Sequence, residues 1–149
     1  MKTSEEQFIE DIAQLMVSWG LPRTTGRVYG LLLLQSMPTD LDEIVDLIDV
    51  AKSGASIAAR QLVALGLARA SGERGTRRVR YQALYTLEAI FAARLAQMHD
   101  LLKQLRRGAG VASEAPARRQ LKDMANTLEL WIIAVSQMMN TAKPGRSRR

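Results

Sequence analysis

The spacing of apolar and polar residues predicts a mainly helical chain that carries one small β-hairpin. Apolar side chains recur every three or four residues along most of the chain, which is typical of helices with one buried face. Strict alternation occurs at one place, where Val79 and Tyr81 alternate with arginines. The predicted helices span residues 4–19, 24–35, 40–49, 53–65 and 85–107, with a last one from 113, and the predicted strands span 67–71 and 76–82.

The helix predicted over residues 53–65 has two sides of different character. We expect Ser53 to cap its N-terminus and Gly66 to end it in a left-handed conformation. Small residues and leucines form the side expected to face the core, namely Ala55, Ala58, Ala59, Leu62 and Leu65. The outer side carries Ser53, Ser56, Ile57 and Arg60. Because alanines let a helix approach its neighbour closely, the outer side is left available for contacts.

The hairpin that follows this helix is rich in arginine. Gly72 and Gly75 mark the turn between its strands. From residue 67 to 82 the only acidic residue is Glu73, against Arg69, Arg74, Arg77, Arg78 and Arg80. A slim helix followed by a cationic hairpin is typical of a winged helix-turn-helix, whose helix enters the major groove while the hairpin reaches phosphates. The alternative is an ordinary solvated surface, but the preceding helix favours DNA binding.

Two helices precede this segment. The first has one apolar stripe, made of Phe8, Ile9, Ile12, Leu15, Met16 and Trp19. The second is apolar on all sides and is predicted to be the buried centre, with Gly30 marking close packing of another backbone. At its N-terminus, where helix amides can hold a phosphate, lie Arg23, Thr24, Thr25 and Arg27. Ordinary capping beside a solvated arginine explains the same cluster equally well.

The helix predicted over residues 40–49 has an acidic exposed side. Its carboxylates are Asp40, Asp42, Glu43, Asp46 and Asp49. They invite a metal or acid–base hypothesis, but they are spread at helical spacing along one face. We therefore interpret them as a solvated surface.

Composition narrows the class of protein. The 149 residues suit one domain or a domain with an appendage, and a net charge of +6 with a pI of about 10.2 suits a polyanionic partner. The absence of cysteine excludes disulfides and thiolate metal sites. No stretch is long and apolar enough to span a bilayer, so we expect a cytoplasmic protein without membrane contact.

No pattern in the chain indicates catalysis. His99 is the only histidine, and no serine or cysteine constellation accompanies it. No phosphate-binding loop, dinucleotide fingerprint or metal-binding spacing occurs. We expect no catalytic residue, no cofactor and no metal.

The C-terminal third favours dimerisation. Its last helix carries a heptad-like seam of Leu121, Met124, Leu128, Trp131, Val135 and Met138. This is more apolar surface than one small winged helix can cover. Packing on the helix over residues 85–107 is the alternative, and we expect both to occur. We expect Gly108 and Gly110 to end that preceding helix and Ser113 to cap the last one.

The residues from about Ser18 to Leu84 resemble the GbsR branch of the MarR-type bacterial transcriptional regulators. The resemblance rests on Gly20-Leu21-Pro22-Arg23, on Gly26-Arg27-Val28-Tyr29-Gly30, on Lys52, Ser56, Arg60 and Leu62, and on Arg77-Arg78-Val79-Arg80-Tyr81. It implies a homodimeric DNA-binding transcription factor, often a repressor, whose N- and C-terminal helices form the dimer interface. Members of this branch are similar to regulators of osmoprotectant synthesis and uptake. Ala58 and Ala59 stand where bulkier or polar residues are expected, so we expect an operator of different sequence.

The aromatic residues suggest a small-molecule effector. We hypothesise that they meet where the helical arm joins the winged helix and enclose a quaternary ammonium ligand. The residues concerned are Trp19, Tyr29, Tyr85, Phe91 and Trp131. Structural core is the more common role of such side chains, and this interpretation stays open.

Taken in order, the predicted regions are an N-terminal dimerisation helix, a DNA-binding domain, a helical dimerisation region and a basic tail. They span residues 1–19, 20–84, 85–142 and 143–149. The predicted dimer contacts of the first region are Phe8, Ile12 and Leu15. The predicted DNA contacts are Arg23, Thr24, Thr25, Lys52, Ser53, Ser56, Ile57, Arg60, Arg74, Arg77, Arg78 and Arg80. A winged-helix protein-interaction module that binds no DNA is the alternative function.

Overall fold

Six helices and a three-stranded antiparallel sheet form the part of the chain, residues 2–142, that the structure, a computed structural model, describes. In chain order the elements are α1 (Thr3–Ser18), α2 (Arg23–Leu34), β1 (Thr39–Asp40), α3 (Leu41–Ile48), α4 (Lys52–Ala64), β2 (Ala68–Gly72), β3 (Val79–Ala83), α5 (Leu87–Val111) and α6 (Ala115–Ala142). The chain divides into two compact units, one up to Leu87 and one from Glu88. The predicted fold class, mainly α with a winged helix-turn-helix, is confirmed. The predicted basic tail, 143–149, lies outside the described residues.

Helices α1 and α2 pack backbone against backbone. Ile9, Ala13 and Met16 are the buried residues of α1. A methyl group added to Gly30 would lie 3.0 Å from the Ile9 Cα, and one added to Gly26 would lie 2.6 Å from the Ala13 Cα. The close approach predicted for Gly30 is therefore present, and Gly26 is the tighter of the two positions.

The helix-turn-helix consists of α3, a short connection and α4. The Asp40 carboxylate caps α3 by accepting a hydrogen bond from the Glu43 amide at 2.9 Å. Asp49 ends α3 with a φ of 52°, in the left-handed region. The predicted cap of α4 is wrong: α4 begins at Lys52, Ala51 is its N-cap residue, and no side chain caps it. Ser53 lies inside the first turn and is exposed.

The wing is a sheet of three strands rather than the predicted hairpin of two. β2 and β3 pair antiparallel, and β1 adds to the other edge of β3 with Thr39 opposite Tyr81 and Asp40 opposite Arg80. A strand of two residues has no alternation for a sequence pattern to detect. It nevertheless connects the wing directly to the start of α3.

The hydroxyl of Tyr85 closes the C-terminal end of α2. Its oxygen lies 3.0 Å from the Leu33 carbonyl oxygen and 3.1 Å from that of Gln35. No later amide of the helix donates a hydrogen bond to these carbonyl oxygens. The Tyr85 hydroxyl therefore supplies a donor that water would otherwise have to provide. Burial raises the pKa of the neighbouring Tyr29 phenol, and the nearby Tyr85 raises it further.

Removing this hydroxyl is expected to destabilise the first unit. Tyr85→Phe should lower the free energy of unfolding by about 0.5–1.5 kcal/mol, because one hydrogen bond to the helix end is lost. Tyr29→Phe is the matched control, since the Tyr29 hydroxyl makes no hydrogen bond to any of residues 2–142. Urea denaturation measures both variants. Equal stability of Tyr85→Phe and the wild type would contradict the capping role.

The second unit is a pair of long helices with their own core. Leu102 and Leu105 of α5 are buried with Ala125, Leu128 and Ile132 of α6. Leu95, Met98 and Leu121 pack against this cluster.

Two helix boundaries predicted for this unit are wrong. α5 continues through the glycines to Val111, and α6 begins at Ala115 rather than after a Ser113 cap. A methyl group on Gly108 would lie 3.3 Å from the Leu121 Cδ1, so this glycine admits a neighbouring side chain without ending its helix. Glycine lowers helix propensity, but tertiary packing overrides it here.

Candidate nucleic-acid interface

The outer face of α4 is an exposed surface of the helix-turn-helix. The inner face is buried and consists of Ala55, Ala58, Ala59 and Leu62. On the outer face Ser53, Ile57 and Arg60 are exposed and Ser56 is half-buried. A hydrogen bond of 2.6 Å from the Thr25 hydroxyl to the Gln61 side-chain oxygen ties α4 to α2. The inner face of α4 is therefore fixed against the rest of the unit, and its narrow outer face can enter the major groove of DNA.

The wing places further cations beside this helix. Arg74 and Arg77 lie in the exposed connection between β2 and β3, where Gly75 turns the chain with a φ of 80°. The wing ion pairs found within residues 2–142 involve Arg78 and Arg80 instead. Arg77 is therefore better placed than Arg78 to contact a phosphate.

A groove separates the start of α4 from the wing, and charges of both signs line it. Its lining residues are Asp40, Leu41, Asp42, Lys52, Ser56, Arg77, Arg78, Val79 and Tyr81. Lys52 pairs with Asp42 at 2.9 Å, and Arg80 pairs with Glu43 at 3.2 Å. Part of the acidic side of α3 is thus engaged with the cations predicted to contact DNA, rather than being only a solvated face.

Asp40 departs most from the predicted solvated acidic surface. Its residue surface is only 4 % exposed. The carboxylate accepts a hydrogen bond from the Arg78 guanidinium at 3.1 Å in addition to the one from the Glu43 amide. The amide hydrogen bond, aided by Arg78 and Arg80, holds the pKa of Asp40 below its usual range despite burial. Its ionised form therefore stabilises the fold at neutral pH, and this contribution is lost as the pH falls through the lowered pKa.

The N-terminus of α2 lies beside the N-terminus of α4. A methyl group on Gly54 would meet the Thr24 methyl at 3.9 Å. Arg23 is exposed but pairs with Glu10 of α1. Thr25, a predicted DNA contact, is only 1 % exposed, and its hydroxyl donates a hydrogen bond to Gln61.

Arg27 is an internal connector rather than a surface cation. Its guanidinium donates to the Glu10 carboxylate at 2.9 Å and to the Ile48 carbonyl at 2.7 Å. It thereby links α1, α2 and the end of α3.

The five aromatic residues of the predicted effector site divide between the two units. Trp19 is exposed, Tyr29 is half-buried in the middle of α2, and the Tyr85 hydroxyl donates to carbonyl oxygens at the end of α2. Phe91 and Trp131 line one apolar groove of the second unit together with Arg94. A guanidinium in that groove repels a quaternary ammonium ion, so the cation interpretation is not supported there.

The predicted dimer contacts of α1 lie beside its buried side. Phe8 is 37 % and Leu15 46 % exposed, and Ile12 between them is half-buried. They form an apolar stripe that α2 leaves uncovered.

The predicted seam of α6 separates into two sets of residues. Leu128 and Leu121 contribute to the core shared with α5, so they are intramolecular contacts and not mainly dimer contacts. Met124, Trp131 and Met138 are 55 %, 66 % and 67 % exposed. They recur every seven residues along one side of α6, whereas Val135 is half-buried in the apolar groove. Sequence spacing alone could not separate these sets, because adjacent stripes of one helix share the same period.

Sequence reasoning missed the ion pairs that Asp40, Asp42 and Glu10 make with basic side chains. A Thr-Asp pair before an apolar helix signals a cap, and this signal was present for Asp40. The ion pairs with Arg78, Lys52 and Arg23 join residues far apart in the chain and had no local signal.

Residues 2–142 contain neither a metal-binding cluster of side chains nor a membrane-spanning helix. No group of three or more histidine or acidic side chains in this part of the chain could hold a metal ion. None of its helices is long and apolar enough to cross a membrane.

Comparison with known proteins identifies helix-turn-helix regulators. No protein-family model matches the chain. It is 28% identical over 144 residues to the HTH-type transcriptional repressor OpcR of Bacillus subtilis, covering 87% of this chain and 77% of that protein. It is 30% identical over 82 residues to the putative HTH-type transcriptional regulator YvaV of the same organism, covering 55% of this chain and 46% of that protein.

A solved structure has the same fold. It is the crystal structure of a transcriptional regulator, with a TM-score of 0.82, 22% sequence identity and coverage of 93% of this chain and 97% of that one. This likeness concerns the fold, and the names of the two relatives describe each of them as an HTH-type transcriptional protein. The proteins it resembles are regulators and not enzymes.

Proposed function

We propose that this chain is a homodimeric, sequence-specific DNA-binding repressor of transcription. The observation that carries the proposal is the exposed face of α4, with Arg60 on it and Arg77 on the adjacent wing. A relative that matches most of the chain is described as a transcriptional repressor. The net charge of +6 favours association with a polyanion.

The two arginines have different roles in this proposal. Arg60 projects from the middle of α4, and its Nε is 3.3 Å from the Ser56 carbonyl oxygen of the preceding turn. From there its guanidinium can donate two hydrogen bonds to a guanine edge in the major groove. Arg77 lies at the exposed end of the wing, where it can neutralise a phosphate of either strand. The helix thus specifies the sequence and the wing anchors the protein.

Dimerisation completes the proposal. The stripe on α1 and the stripe of Met124, Trp131 and Met138 on α6 are apolar surfaces that the described residues do not cover. A second copy is the occupant we propose, because it would bury both stripes and supply a second α4. A two-fold dimer would read an inverted repeat with half-sites about one helical turn apart.

The test begins with selection of bound duplexes from a random DNA pool by the purified wild-type chain. We expect an inverted repeat to be enriched. A pool that shows no enriched sequence, with no salt-dependent binding, would favour the alternative of a protein-interaction module, because phosphate contacts release counterions.

The selected operator then allows the two arginines to be compared. Arg60→Ala should weaken operator binding by about 1–3 kcal/mol and binding to a scrambled duplex much less. Arg77→Ala should weaken both by similar amounts and lower the salt dependence by about one ion. Titrations at several salt concentrations measure these effects. If Arg60→Ala weakened the scrambled duplex as much as the operator, α4 would not be the reading helix.

From the resemblance to the GbsR branch we further propose that the regulated genes serve osmoprotectant synthesis or uptake. We also propose that a small-molecule effector changes the affinity for DNA. Choline and betaine are the probes, and the operator titration with and without each compound is the measurement. Because Arg94 lies in the groove beside Phe91 and Trp131, we expect any response to choline to persist in Phe91→Ala, which leaves the proposed dimer stripe of α6 intact. Loss of the response in that variant would restore the aromatic groove as the effector site.

A further inference from the structure

Asp40 is a nearly buried carboxylate below the proposed DNA-binding groove. It belongs to β1, caps α3 through the Glu43 amide at 2.9 Å, and stands opposite Arg80 in the sheet register. Its side chain is 5 % exposed. A negative charge at this place opposes the approach of a polyanion, so electrostatic attraction of DNA does not account for it.

The other partner of Asp40 is on the wing. The Arg78 guanidinium donates to the Asp40 carboxylate at 3.1 Å, and the Arg80 guanidinium lies 4.0 Å away. Backbone pairing between β1 and the wing covers two residues only. Such a short strand holds the wing weakly, so the side-chain contacts add much of the restraint between wing and helix-turn-helix.

We propose that Asp40, through Arg78, is the positioning residue that fixes the wing relative to the helix-turn-helix. The proposal rests on the DNA-binding function proposed above. It assigns the neighbouring arginines of the wing to different tasks: Arg78 holds the wing in place, and Arg77 contacts DNA. Asp40 then contributes to operator binding without touching the operator.

The direction in which one substitution changes operator affinity tests this role. Asp40→Asn keeps the size and capping ability of the side chain and removes its charge. Electrostatics alone would make this variant bind DNA more tightly. Loss of wing positioning should instead weaken operator binding by roughly tenfold or more, the effect expected for one charge-assisted hydrogen bond.

Asp42→Asn is the matched control. It removes the same charge from the same groove, but Asp42 is exposed and pairs with Lys52 of α4 rather than with the wing. We expect its operator affinity to equal or exceed that of the wild type. Tighter binding by both variants would overturn the positioning role of Asp40.

A double-mutant cycle separates positioning from direct contact by Arg78. If Arg78 acts through Asp40, Arg78→Gln should cost less affinity in the Asp40→Asn background than in the wild type. If Arg78 instead contacts a phosphate, Arg78→Gln should cost as much operator affinity in the Asp40→Asn background as in the wild type, or more. The latter result would overturn the proposal.

Hydrogen exchange gives a measurement that does not depend on DNA. Asp40→Asn and Arg78→Gln should accelerate amide exchange in β2 and β3 several-fold, while α1 and α2 keep wild-type rates. Unchanged exchange in the wing, or equal acceleration in all four elements, would show that Asp40 does not position the wing. A wild-type chain with no operator preference would refute the DNA-binding function and leave this exchange test valid.

Discussion

Replacing Trp131 with glutamate is expected to convert the proposed dimer into a folded monomer. Trp131 is 66 % exposed and lies midway in the stripe between Met124 and Met138. Its side chain lies outside the buried cluster of Leu128 and Ile132, so the second unit can fold without it. In a dimer that covers this stripe, the new carboxylate would be buried without a partner. We expect a loss of about 3 kcal/mol or more, which is roughly a hundredfold or more in the dimer Kd.

Sedimentation at micromolar concentration measures this change, and circular dichroism checks that the helices remain. Leu130→Glu is the matched control, because Leu130 is 67 % exposed on the same helix but lies roughly 100° around it from Trp131. It should remain dimeric. Leu128→Glu is unsuitable as a test of assembly, since Leu128 belongs to the intramolecular core and its loss should unfold the unit. If the Trp131→Glu variant remained dimeric, this side of α6 would not form the dimer interface.

The substitution Gly26→Ala is expected to give the largest loss of stability in the first unit. The added methyl group would lie 2.6 Å from the Cα and 3.2 Å from the carbonyl oxygen of Ala13. Both are backbone atoms of α1, so no side chain can rotate away and the two helices must separate. We expect the free energy of unfolding to fall by about 1–3 kcal/mol or more, even though alanine favours helix over glycine.

Gly54→Ala provides the control within the same unit. Its methyl group would meet only the Thr24 methyl at 3.9 Å, an ordinary contact, so the gain in helix propensity of up to about 0.5–1 kcal/mol is unopposed. Urea denaturation followed by tryptophan fluorescence compares the variants, with Trp19 at the end of α1 as a local probe. A Gly26→Ala variant as stable as the wild type would show that α1 and α2 do not pack this closely.

The elements that repeat a simple pattern were predicted well. The apolar stripe of α1, the alanine-lined inner face of α4 and the alternation in β3 each lie within one stretch of sequence. Local spacing is sufficient for such elements, because the side chains that share a face are a fixed number of residues apart. Gly66, with a φ of 74°, also ends α4 as predicted, since a left-handed residue is a local requirement.

The elements that depend on distant partners were not predicted. β1 exists because β3 offers an edge to Thr39 and Asp40. α5 continues past Gly108 because Leu121 of the next helix packs there. In both cases the residue that determines the structure is remote in sequence, so local helix or strand propensity does not indicate it.

The candidate DNA-binding surface shows the same division. The order of residues alone shows which cations exist and which elements carry them: a serine- and arginine-bearing outer face on α4 and an arginine-rich wing. Which of these cations face outward and which are bonded to other side chains depends on the folded structure. It buried Thr25 against Gln61 and bonded Arg78 to Asp40, while Arg60 and Arg77 remain at the surface. The physical reason is that an ion pair or a buried hydrogen bond depends on distances of a few ångströms between residues that the chain brings together only when it folds.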